Sequence, residues 1–140
     1  MGKINWRGVV VGGLVAGLVL NVVDYVLWGV LLADDMSAAM QALGKPAVGG
    51  SAIAWFVVMD FVYGIALVWA YAAMRPRFGA GARTAMYAGL FVWVLIGLLN
   101  AVGESQMGLM PARMMVIGTV VALVLLPVAT VVGARFYTEA

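Results

Sequence analysis

Residues 53–69 read IAWFVVMDFVYGIALVW, and an earlier stretch, residues 17–29, reads GLVLNVVDYVLWG. Each is almost continuously apolar and carries a single charged residue, Asp60 in one and Asp24 in the other. A helix that is apolar all round has no face to give to water, so it belongs inside a bilayer or a large core. Outward from these two stretches, the chain contains four apolar runs: Gly8–Leu32, Ser51–Met74, Thr84–Gly103 and Ala112–Ala134. About 20 helical residues cross ~30 Å of hydrocarbon, so each run is long enough to span. The expectation is an all-α integral membrane four-helix bundle, with residues 1–140 forming a single transmembrane domain. A β-barrel is excluded, because barrel strands alternate in polarity over about 10 residues and these runs do not.

Composition supports the same class. The chain is 66% hydrophobic and 10% charged, with a mean hydropathy of +1.10. A soluble domain of 140 residues cannot hide that much apolar surface. Cysteine and histidine are both absent, which removes disulfides, thiol nucleophiles, Cys/His metal sites and a histidine haem ligand. No cofactor is implied. The net charge of +2 does not point to nucleic acid, because the basic residues have a topological reading. Lys3, Arg7, Arg75, Arg77, Arg83 and Arg135 fall on one side of a four-span arrangement, and Lys45 and Arg113 on the other. That bias orients both termini toward the cytoplasm. The Gly/Ala/Val-rich composition points to a bacterial inner membrane.

The first run carries overlapping small-residue pairs, Gly8 with Gly12 and Gly13 with Gly17. Such spacing lets helix backbones approach closely. It serves either a neighbouring helix of the same chain or a second copy. Gly13, Gly17, Asn21, Asp24 and Trp28 share one stripe at helical spacing. In the loop that follows, Met36, Ala39, Met40 and Leu43 recur at i, i+3, i+4 and i+7. This predicts a short interfacial helix over about residues 35–43, capped by Asp34 or Asp35 and stopped at Gly44. It is either a lid over the bundle mouth or a plain connector. Trp55, Trp69 and Tyr71 read as interfacial belts. Arg75-Pro76 reads as the end of the second helix. In the fourth, Pro127 should kink the helix, and Thr119 and Thr130 can bond back to it. A gapped echo between residues 20–24 and 99–104 suggests two related hairpins.

A carboxylate costs about 2.5–3.5 kcal/mol at mid-membrane, so Asp24 and Asp60 must face protein, water or a cation. At ~1.5 Å rise per residue, Asp24 lies ~10 Å and Asp60 ~12 Å inside the outer boundary. Adjacent antiparallel helices would bring them to one level. Asn21, Tyr63 and Asn100 fall nearby, with Glu104 and Arg113 at the outer mouth. Shared protons, an ion pair with Arg113 or a bound hard cation could each satisfy the acids. The chain lacks a Ser-His or Cys-His set, which argues against an enzyme. The expected function is a non-enzymatic assembly partner or accessory subunit in the bilayer, as a homo-oligomer or in a larger membrane complex. The alternative is a cation- or proton-coupled transporter or channel using Asp24 and Asp60.

Overall fold

The computed structural model describes residues 2–140. It is 82% helix with no strand among the described residues, which leaves a helical bundle as the architecture. Four helices are long and apolar enough to cross a membrane: Trp6–Leu31, Gly50–Phe78, Ala82–Met107 and Ala112–Ala134. Below they are the first to fourth long helices. At 23 to 29 residues, each exceeds ~30 Å at ~1.5 Å per residue. A shorter helix, Ala33–Ala42, lies in the loop after the first.

The ends of these helices follow local chemistry. Asn5 caps the first, its Oδ1 accepting from the Gly8 amide at 3.1 Å. Asn5 Nδ2 donates to the Thr138 carbonyl at 2.9 Å, tying the two chain termini together. The cap starts the helix at Trp6, earlier than the apolar run. In the loop helix, Asp34 and Asp35 sit in the first turn but make no side-chain capping bond. Their charges complement the positive helix end instead of closing it as caps. Gly44 follows with φ +66°, the left-handed conformation that ends a helix. The second long helix does not stop at Arg75-Pro76. It runs through Pro76 to Phe78 and ends at Gly79, φ +85°. Proline removes one amide donor, but two further residues, Arg77 and Phe78, continue the last turn and the Gly79 amide bonds the Arg75 carbonyl.

The first long helix packs on the second and the fourth, the third packs on the same two, and the second also touches the fourth across the bundle. Glycines set the closest approaches. A Cβ on Gly13 would lie 2.5 Å from the Ile65 Cα, and one on Gly17 2.7 Å from the Phe61 Cα. Gly64 presses in return on Gly13 and Gly17, and Gly12 meets Gly133. Gly8 lies against Tyr137 and Asn5. These pairs thus serve contacts within one chain. Around them Val9, Ala16, Leu20, Leu67, Val68, Ala85, Ala88, Leu126 and Ala129 form the core.

Tyr71 belongs to this core and not to an interfacial belt. It is 3% exposed, accepts a hydrogen bond from the Gly81 amide at 3.1 Å and meets Tyr137 edge to face. The Arg75 guanidinium lies over both rings, 5.8 and 5.3 Å from their centroids. Trp55 and Trp69 are exposed, as belt residues would be.

The first and third long helices, which run in the same direction, both widen from α to π turns partway along. Tyr25–Leu31 is one such stretch and Trp93–Leu98 the other. Each closes on an i to i+5 bond, Leu32 amide to Leu27 carbonyl and Leu99 amide to Val94 carbonyl. The two stretches match without a gap. Tyr25-Val26-Leu27-Trp28-Gly29 stands against Trp93-Val94-Leu95-Ile96-Gly97. In both, the glycine faces the aromatic ring four residues earlier: an added Cβ would strike Trp93 at 2.7 Å from Gly97 and press on Tyr25 at 3.3 Å from Gly29. This match replaces the echo between residues 20–24 and 99–104. Those segments lie on opposite sides of their wide turns and are not equivalent. The match covers five residues of each helix.

Candidate functional site

The wide turns mark where the bundle changes character. On the side of the termini, all four helices bury small residues against one another. On the other side, the third helix buries none from Trp93 to Met107. Asp60 is the last buried residue of the second helix in that direction. The acids therefore sit at the seam between a closed half and an open half.

A cavity of 180 Å³ lies there, and both Asp24 and Asp60 line it, together with Tyr63. Asp24 is half-buried and Asp60 is 9% exposed. The two carboxyls neighbour each other on its wall. Every other wall is apolar or glycine: Leu20, Leu27, Trp28, Ile96, Gly97, Gly118, Val121, Ala122, Leu125 and Leu126. Among the described residues no basic side chain reaches the pair, and no cluster of three acids, histidines or cysteines forms.

A second cavity, of 240 Å³, adjoins the first through Trp28, Ile96, Gly97, Gly118 and Ala122. Asn100 and Glu104 line it, joined by a hydrogen bond from Asn100 Nδ2 to Glu104 Oε1 at 3.0 Å. Met110, Met114 and Met115 form its far wall. Gly118 is what lets the Trp28 ring lie flush on the fourth helix, since a Cβ there would come within 2.8 Å of the ring.

The remaining polar residues are spent elsewhere. Asn21 donates to the Gly17 carbonyl at 3.0 Å and the Val57 carbonyl at 3.3 Å, bridging two helices instead of lining the cavity. Arg113 does not reach down to either intramembrane acid. It pairs with Asp35 on the loop helix at 3.0 Å, because Asp35 projects from the first turn on the same side. Thr119 and Thr130 bond the carbonyls of Met115 and Leu126. The Trp93 indole donates to the Thr119 carbonyl at 2.9 Å, pinning the third helix to the fourth beside the cavity.

Sequence reasoning brought Asp24, Asp60 and Tyr63 together but missed Gly97, Gly118 and the three methionines. Gly118 is an isolated glycine in an apolar helix, and nothing in one sequence marks it as a wall. The repeated aromatic-Val-Leu-x-Gly pattern was a signal for the wide turns. No family model, curated protein or solved structure matches the chain.

Proposed function

We propose that the chain is a small non-enzymatic membrane protein that serves as an accessory subunit or assembly partner, holding a proton or a cationic group at the Asp24–Asp60 pair. The observation that supports this is the one-sided cavity. It holds both acids and borders the buried core at Leu20, Leu125 and Leu126, so the polar groups it offers are confined to one level of the bundle. An intramembrane carboxylate without a basic partner is functional by default. We further propose the bacterial inner membrane as its location. Both termini lie in the cytoplasm, and the loop helix lies at the outer interface, following the charge bias of the loops. Its lipid-facing sides would pack on a second copy or on a larger membrane complex.

Cation- or proton-coupled transport is the second reading, favoured by the adjacency of the two carboxyls. It needs the closed half to open, or a second copy. Reconstitution into liposomes separates the two readings. The accessory reading expects cation- or proton-dependent stabilisation without flux, and recovery with partner chains or copies in mild detergent. Asp24-dependent flux in the purified protein would install the transport reading. Melting behaviour identical for the wild type, Asp24→Asn and Asp60→Asn across sodium, potassium, calcium and pH series would remove both and leave the acids a structural role.

A further inference from the structure

The chemistry of the cleft narrows what a cationic group there can be. A hard divalent ion takes six or more oxygen ligands, or strict octahedral geometry with several retained waters. The cavity provides two carboxyls and one phenol, and all its other walls are apolar or glycine. A cation surrounded by carbon suits those walls better than one surrounded by water. Asp60 is nine-tenths buried and borders this space with no basic side chain in reach. Its charge calls for a partner that brings its own apolar surface. Two aromatic rings, Trp28 and Tyr63, border the same space, and aromatic faces attract organic cations. The two cavities, of 180 and 240 Å³, share a wall and together lie along one side of Trp28. The methionine wall is unbranched and adaptable, fitting chains of variable shape.

We propose that this cleft binds a monovalent amphiphilic ammonium, its head between Asp24 and Asp60 and its hydrocarbon portion along Trp28 toward Met110, Met114 and Met115. The proposal rests on the reading of the acid pair as a cation-holding site and adds the ligand class. Asp24 and Asp60 supply the charge, and Trp28 bridges the two compartments. Gly118 and Ala122 belong to the wall that both cavities share.

The test is equilibrium binding of radiolabelled decyltrimethylammonium to the full chain in phosphatidylcholine nanodiscs, with empty nanodiscs as background. Decanol and sodium serve as competitors. Saturable binding at one site per chain is expected, displaced by unlabelled ammonium and not by decanol. Asp60→Asn should weaken it about tenfold or more, since the charged partner is lost. Ala122→Leu should weaken it by adding bulk to the wall that both cavities share while leaving the acids in place. Thermal melting verifies that each variant is folded, and if Asp60→Asn is not, Ala122→Leu and Trp28→Leu carry the test. No saturable site in the wild type, equal affinity in the folded variants, or displacement by decanol overturns the proposal. If the ammonium fails but sodium or protons still stabilise the wild type and not Asp60→Asn, only the ligand class falls. If nothing stabilises the wild type selectively, the cation-holding reading falls with it.

Discussion

At the end that bears the termini, Gly12, Gly13, Gly17, Gly64 and Gly133 bring backbones into direct contact. At the opposite end, the third helix buries no side chain past Gly89, and the buried residues thin to Leu27, Leu32, Ala39 and Met114 beside two cavities. Both halves are built from nearly the same apolar residue types, so hydrophobicity does not distinguish them. Spacing does. Small residues at i and i+4 on facing helices close one half, whereas π turns beginning at Tyr25 and Trp93 part the helices in the other. In a bilayer, where apolar side chains gain little by leaving lipid, such packing detail decides which helices touch.

The sharpest way to break this comparison is to place equal bulk in each half. Gly64→Val puts a side chain into the Gly13–Gly17 backbone and should destabilise the fold by about 3 kcal/mol or prevent assembly. Gly103→Val, where no atom lies within 4 Å of the added carbon, should change stability by under about 0.5 kcal/mol. Denaturation in mixed detergent micelles measures both. Similar losses at the two sites would show that the open half is packed after all.

The four spans were legible because length and continuous hydrophobicity alone specify them. The adjacency of Asp24 and Asp60 was legible from depth, since antiparallel neighbours place them at one level. The small-residue stripe was legible as a contact but not as to its partner: Gly13 and Gly17 would look the same facing Gly64 or a second copy. The partner of Arg113 was not legible, because depth says nothing of lateral position, and of the open alternatives the ion pair formed with Asp35 instead of an intramembrane acid. The wide turns do not show in composition, because a π turn changes only the hydrogen-bond register, and their one trace in the sequence is the repeated aromatic-Val-Leu-x-Gly pattern.

A second contrast concerns ligand-linked stability. If the open half holds a cation, a ligand at a hundredfold excess over Kd should add ~2.7 kcal/mol to the wild type and little to Asp60→Asn. Melting with and without ligand checks it, and equal gains would detach the acids from binding. A smaller effect is expected at the seam. Trp93→Phe removes the indole donor to the Thr119 carbonyl and should cost about 1 kcal/mol, with the third and fourth helices loosening beside the cavity. Hydrogen exchange of the segment 93–98 would report it, and unchanged protection there would show that the pin is idle. The smallest effect is expected at the surface. Arg113 and Asp35, with side chains 69% and 38% exposed, should contribute less than about 1 kcal/mol. Arg113→Ala should therefore shift melting only slightly, and less still in high salt.

The proposed site requires that the acids at the seam form one accessible, proton- or cation-holding pair and not sealed structural hydrogen bonds. Dicyclohexylcarbodiimide, which enters bilayers and modifies carboxyls that hold a proton, tests this directly when adducts are located by mass spectrometry. The account predicts one adduct per chain, on Asp24 or Asp60, with its yield reduced by a cation that competes for the pair. Absence of any adduct on either residue, or a yield indifferent to every cation tried, would contradict it.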